Sequence, residues 1–395
     1  MLIAGSPAGM GNVGEIILAD LIRHRGIDAF HSFAVVPTKY HWKPDPELGG
    51  LSLELLKCNR LIARPASVGK FAPLRSIFNY QVGFKRELER LCDTFVTKAR
   101  LSPPKQIVAV LNNAMMFALS HRVADALGLP LLTLVWDPPE YLLRQANFDR
   151  FSRARLIREF ERSLSRSCRV AVVSEEMQSD YAAHTKAPMQ LLRHGLRVEK
   201  ARPASGEVKT DWLIGFAGSM YSTSAWRAFC RALDSVSWRV AGRQVRLRIL
   251  GAGIELSSSS KACIEYLGFR STDETQSLMA DCDLCYLPQP FESHLSDLAH
   301  YSFPTKLTNY LALGRPVFVH APPHASVVRF FAQRPFGVVC DSLQAANIVE
   351  ALEGFLGSDA TVRELASLSA LDVAKTQFSI DRFTQAVDQF LGTSA

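Results

Sequence analysis

Short runs of apolar residues alternate with stretches whose apolar positions recur every three or four residues, from one end of the chain to the other. The short runs suit buried strands, the longer stretches suit amphipathic helices, and their alternation is the pattern of a parallel sheet covered by helices. Strand candidates in the first half are 2–5, 31–36, 106–111, 131–135 and 170–174, with helix-compatible stretches such as 13–24 and 118–127 between them. In the second half they are 212–217, 245–250, 264–266, 284–287, 316–320 and 337–340. Residues 200–209 are polar and contain Pro and Gly, as a linker should. The expected organisation is α/β: two Rossmann-like domains, 1–200 and 201–376, a ligand cleft between them, and a last helix, 377–395, crossing back to the first domain.

The length of 395 residues agrees with two domains of ordinary size. With 48% apolar and 21% charged residues the chain reads as globular, without low-complexity tracts. No apolar run approaches the roughly 18 residues of a spanning helix. The start, Met1 to Ser6, passes directly into a strand-like run with no basic leader before it, so a cytoplasmic protein is expected. Eight dispersed cysteines read as reduced thiols. Cys282 and Cys285 stand three apart in a strand-like run, on opposite faces, so no zinc is expected there. The formal charge of +7 is concentrated between Arg144 and Arg169, where Arg158, Arg162 and Arg166 line one helical face. That face is either solvated or rests on anionic lipid or an anionic acceptor, giving a peripheral membrane contact. No nucleic-acid-binding module accompanies the charge, and no nucleic-acid partner is expected.

In open α/β sheets the loops beyond the carboxyl ends of the strands hold ligands. After the first strand Gly9, Gly11 and Gly14 follow a G-x-G-x-x-G spacing, which lets backbone amides at a helix start approach a phosphate or a substrate. A nicotinamide site would want an acidic residue closing the second strand, where the chain offers Pro37, Thr38 and Lys39. Further glycine turns follow 212–217 at Gly218-Ser219 and 245–250 at Gly251. Each also has a plain explanation, since tight strand–helix connections need glycine.

The ordered runs Ile264-Glu-Tyr-Leu-Gly268-Phe269-Arg270, Asp281-Cys-Asp283 to Pro288 and Glu292, and Phe303-Pro304-Thr305-Lys306 to Asn309 and Gly314-Arg315-Pro316-Val317 resemble the family 4 group of retaining GT-B glycosyltransferases. The resemblance implies two Rossmann-like domains with a nucleotide-sugar cleft and a sugar transferred from a nucleotide-diphosphate donor. The acceptor would be a glycan or lipid-linked molecule, as in polysaccharide biosynthesis. No cofactor and no metal are implied beyond the nucleotide sugar as co-substrate. The donor-binding set it implies is Gly11, Gly218, Ser219, Gly251, Phe269, Arg270, Glu292, Pro304, Thr305, Lys306 and Asn309. Glu292 and Asp137 are the catalytic candidates; Gly9, Asn12, Trp136 and His194 stand on the acceptor side. The chain departs from the group in three places. Asn309 stands where a second glutamate is usual, with 16 residues between it and Glu292. No basic pair follows Gly218, the next base being Arg227, and Trp136-Asp137 replaces a usual histidine.

A diphosphate leaving group gains negative charge as the anomeric bond breaks, so donors aimed at it lower the barrier. Helix-start amides after Pro304 and Thr305 with the Lys306 ammonium supply this; otherwise Lys306 is a solvated first-turn lysine. Glu292 would accept from sugar hydroxyls or lie on a loop surface. Asn309 would hold ribose hydroxyls or sit on the helix surface. Asp137 would orient a hydroxyl or form the turn before Pro138. His194 would meet an acidic group or pack. The segments 39–43 and 71–80 mix aromatic and basic residues and would shape the acceptor site or touch a membrane. A sugar-nucleotide epimerase of the same architecture and a non-catalytic relative acting as a binding partner are the alternatives.

Overall fold

The computed structural model describes residues 1–58, 77–196, 210–251 and 261–392. The linker expected at 200–209 and residues 71–76 of the second aromatic–basic segment lie outside them. The chain forms two compact units, Met1–Arg193 with Thr384–Ala395, and His194–Phe383.

The first unit is built on β1 (Leu2–Ala4), β2 (His31–Pro37), β3 (Ser52–Cys58), β4 (Ile107–Val110), β5 (Leu131–Val135), β6 (Arg169–Val172) and β7 (Met189–Leu191). They lie in the order β3-β2-β1-β4-β5-β6-β7, and every pairing is parallel. The central strands are buried on both faces, which is why they read as apolar runs such as Ile107–Val110. β3, at the edge, is mostly half-exposed or exposed along its length. Helices on the two faces start at side-chain caps: Asn12 accepts from the Glu15 amide, and Asn113 accepts from that of Met116. The segment from Thr384 belongs to this unit through Asp388, which meets His24 and Arg25 at 3.0 Å each, and through the Gln190 side chain, which donates to the Ala386 carbonyl.

The second unit repeats the plan with β8 (Asp211–Ala217), β9 (Arg239–Val240), β10 (Arg243–Leu250), β11 (Ile264–Gly268), β12 (Leu284–Pro288), β13 (Val317–His320) and β14 (Gly337–Cys340). The order is β11-β10-β8-β12-β13-β14, all parallel, with the short β9 antiparallel beside β10. Its core is aromatic. Phe229 stacks on Tyr286 at 4.1 Å between ring centroids, and Trp226 and Phe318 close around them. His320 lies in this core, where burial pulls its pKa down to about 4. The neutral ring is held by the Ser342 carbonyl at Nε2, 2.8 Å, and the Tyr286 hydroxyl at Nδ1, 3.0 Å. It packs rather than titrates near neutrality. In each unit the chain builds outward from its first strand and then jumps across it. The switch point falls between β1 and β4 in the first unit and between β8 and β12 in the second.

Candidate functional sites at the two switch points

At the second unit's switch point three glycine turns meet. The Gly218 amide donates to the Leu250 carbonyl, and the Gly251 amide to that of Gly268. Gly251 has φ +122°, and a Cβ there would fall 2.6 Å from the Gly218 carbonyl oxygen. The turns after β8 and β10 therefore touch backbone to backbone, and a side chain at Gly251 would be both strained and displaced. Gly218, at φ +104°, leaves room for the Lys306 side chain: a Cβ would lie 2.9 Å from Lys306 Cε.

Lys306 belongs to the first turn of the helix Thr305–Ala312, whose N-cap, Pro304, offers no side-chain acceptor. Its Nζ donates to the Ser219 carbonyl at 2.8 Å and lies 4.8 Å from the Tyr221 ring centroid and 5.6 Å from that of Phe216. This packing pulls the ammonium down to about 8. The cation missing after Gly218 in the sequence is supplied from 87 positions further on. The same helix is fixed to β8 by Tyr310, whose buried hydroxyl accepts from the Ala217 amide at 3.0 Å.

Glu292 follows β12. Its Oε1 accepts from the Ser224 amide at 3.0 Å, near the N-terminus of the helix Thr223–Ser235. Its Oε2 and the neighbouring Ser224 Oγ are buried with no hydrogen-bond partner among the described residues. A buried carboxylate oxygen without a donor is costly, and a sugar hydroxyl would satisfy it. Asn309 is exposed, with one long contact, 3.5 Å, from Nδ2 to the Thr305 carbonyl. Phe269, at 79% exposed, and the exposed Arg270 stand beyond β11, the Arg270 guanidinium donating back to the Phe269 carbonyl. Lys306, Ser219, Gly218 and Gly251 thus lie together.

The first unit treats its glycine turn differently. Glu15, 1% exposed, turns its carboxylate back over the loop. Oε2 accepts from the Gly11 amide at 2.8 Å; Oε1 accepts from Asn12 Nδ2 at 2.8 Å and from the Tyr40 hydroxyl at 2.5 Å. The amide that the spacing would offer to a phosphate or substrate donates to an anion of the chain itself. Gly9 is required because Lys43, Trp42 and Glu15 crowd it: a Cβ at this position would fall 2.6 Å from the Lys43 carbonyl oxygen. Gly14 makes room for Trp136, whose ring would lie 2.9 Å from a Cβ. In the segment 39–43 Tyr40 and Trp42 turn inward, Trp42 donating to the Ala8 carbonyl, while Lys39, His41 and Lys43 are exposed. Glu15 was not among the site residues expected from sequence. Its signal was there in Asn12-Val-Gly-Glu15, a cap followed three residues later by Glu.

Asp137 is half-buried in the turn after β5, next to Trp136, whose indole Nε1 is buried without a hydrogen-bond partner among the described residues. His194 falls in the second unit and packs edge-on to Phe383 at 6.2 Å. Among the arginines of 144–169, Arg162 binds Glu159 and Arg166 binds Asp125 and the Leu129 carbonyl, so part of the expected face is paired within the chain. Arg155 and Arg158 are exposed, and Arg150 stands over Phe151, itself 60% exposed, at 5.1 Å. Among the described residues no helix is long and apolar enough to cross a membrane, and no group of three His, Cys, Asp or Glu is placed to share a metal ion.

Solved structures with the same architecture cover both units. Anabaena HepE in complex with UDP aligns at TM-score 0.67 and 15% identity over 100% of this chain and 99% of its own. Sucrose-phosphate synthase from Thermosynechococcus elongatus aligns at 0.68 and 12% over 100% of both. An E. coli trehalose-6-phosphate protein bound with UDP-2-fluoro glucose aligns at 0.65 and 9% over 100% and 99%. Comparison with curated proteins gives no match. Two parallel α/β units of this topology, matched over the whole chain, define a GT-B fold protein. Its second unit carries the sequence pattern of the family Glycosyl transferases group 1, matched over residues 212–357.

Proposed function

We propose that the protein is a retaining, metal-independent glycosyltransferase that takes a sugar from a nucleotide-diphosphate donor and passes it to a glycan or lipid-linked acceptor. The observation that carries this is Lys306. A packed ammonium, the uncapped start of its helix and the Gly218–Gly251 turns converge at the switch point of the family-matched unit. Charge developing on a departing diphosphate would find a cation and the positive end of a helix there without a metal ion. Glu292 Oε2 is the acceptor for a donor-sugar hydroxyl, Asn309 reaches the ribose, and Phe269 offers its exposed face to the base. Asp137 and Trp136 serve the acceptor side. The exposed Arg150, Arg155 and Arg158 with Phe151 make a peripheral contact with an anionic membrane surface.

The test has two stages. Thermal-shift screening with UDP, GDP, ADP and CMP identifies the nucleotide, because a ligand of the native state raises the melting temperature by mass action. Incubation with the corresponding nucleotide sugars and mixed acceptors then separates the possibilities. Acceptor-dependent nucleotide release is the expected outcome. Isomerisation of the donor would indicate an epimerase. A protein that binds nucleotide yet does neither would be a binding relative.

A further inference from the structure

The first unit's switch point holds a cavity of about 220 Å³ over the carboxyl ends of β1, β2, β3 and β4. It is smaller than the roughly 300–1,000 Å³ of drug-sized pockets, and suits a single ring. Its lining combines apolar residues, among them Val35, Val36 and Met115, with the polar Asn112, Asn113 and Gln145. The two asparagines are set by the backbone. Asn112 Oδ1 accepts from the Gly5 amide at 3.0 Å, and Asn113 Oδ1 accepts from the Met116 amide at 3.0 Å. With each oxygen fixed by a backbone N–H that cannot flip, the orientation of both amides is set, and their NH₂ groups are the donors these residues offer a ligand. Both depend on Gly5, where a Cβ would fall 1.9 Å from Asn113 Nδ2 and 2.5 Å from Asn112 Oδ1.

Among the described residues no ionised side chain lines the cavity. Tyr40 and Cys58 reach it, and burial pushes both groups up, the thiol to about 12, so each stays neutral. The nearby carboxylate, Glu15, is consumed by Gly11, Asn12 and Tyr40, and as a negative charge it repels anions from this end of the sheet. A phosphate or carboxylate brought here would lose its water and gain no counter-charge from the described lining. A hydroxylated ring would set its C–H groups against the apolar residues and satisfy its hydroxyls with the amides.

We propose that, within the glycosyltransferase function proposed above, this cavity binds an uncharged, hydroxylated sugar ring of the acceptor and excludes phosphorylated or carboxylated rings. The experiment titrates the full chain by calorimetry with methyl glucosides, galactosides and mannosides, and with the matching sugar 6-phosphates and uronic acids. At least one glycoside binds, and its phosphate and uronate bind at least tenfold more weakly. Gln145→Trp, at an exposed position on the rim, abolishes glycoside binding and leaves nucleoside diphosphate binding as it was. Gln145→Arg supplies the missing cation and narrows the discrimination against phosphate. Anionic sugars binding as tightly as neutral ones, no neutral glycoside binding, or glycoside binding untouched by Gln145→Trp each overturns the assignment. The absence of nucleoside diphosphate binding, with the glycoside results intact, would instead overturn the transferase function.

Discussion

The two units share a strand order, a switch point and a glycine turn followed by a helix, yet they fill those turns with opposite charge. In the second, a lysine from a distant helix lies across Gly218 and presents its ammonium beside a helix start without a side-chain cap. In the first, the helix supplies its own anion: Glu15 occupies the Gly11 amide and holds the loop shut with Asn12 and Tyr40. The same backbone device carries a cation in one unit and is satisfied by an anion of its own helix in the other. A glycine spacing therefore reports that the chain turns tightly, while the side chains arriving from elsewhere decide what the turn can hold.

The sharpest way to break the comparison is to remove the cation. Lys306→Ala weakens nucleoside diphosphate binding by about 1.5–3 kcal/mol, the range for hydrogen bonds to charged groups. Nucleoside binding, which lacks the phosphates, hardly changes. Titration of the variant with both ligands decides it: equal losses for the two, or none, would place the diphosphate elsewhere.

Removing the anion tests the other side. Glu15→Gln keeps the shape but turns one oxygen into a donor that faces other donors, so the loop loses about 1–3 kcal/mol of stability. Urea unfolding reads the loss, and diphosphate affinity should stay at the wild-type value. A variant as stable as wild type would mean the Glu15 carboxylate does not hold the loop.

The pH profile sharpens the cation's role. The Lys306 pKa is lowered to about 8, from 10.5 in the unfolded chain. A diphosphate prefers the ammonium form, so affinity holds below pH 8 and falls above it, approaching tenfold per pH unit. Lys306→Arg stays charged throughout and should flatten the profile. The stability sign is opposite: keeping the native ammonium charged in packed surroundings costs stability below pH 8, and the cost is relieved as pH rises from 8 towards 10.5. A flat wild-type affinity between pH 7 and 9.5 would remove Lys306 from contact with the phosphates. The smallest effect is expected at Asn309, whose exposed amide would lose less than about 1 kcal/mol of nucleoside affinity on change to Ala; a larger loss would make it a principal ribose contact.

Much of the fold was legible because a parallel sheet buried on both faces writes itself as continuous apolar runs. Leu131–Val135 coincides with its expected strand, and β8, β10, β12 and β13 differ from theirs only at the ends. β3 and β7 escaped for the complementary reason. They are edge strands: β3 exposes Ser52, Leu55 and Lys57 and mixes polar with apolar positions, and β7 is only three residues long with no buried residue. β9, two residues long, is too short for any period. The site was less legible, since its defining contacts are tertiary. Local spacing could mark Gly218 and Lys306 separately, but nothing local joins the Lys306 ammonium to a carbonyl 87 positions away. Glu292 stood out for its distance from Pro288, whereas its hold on the Ser224 amide depends on how the helix Thr223–Ser235 meets the end of β12.

The packed ammonium has a consequence for what an observer of binding would record. At pH 8 Lys306 Nζ carries roughly half a proton, and a diphosphate bound beside it would draw the remainder from the solvent. Binding would therefore consume acid, and its apparent heat would shift with the ionisation enthalpy of whichever buffer gives up the proton. As the pH falls below 8 the nitrogen is already protonated, and this contribution to the buffer dependence fades.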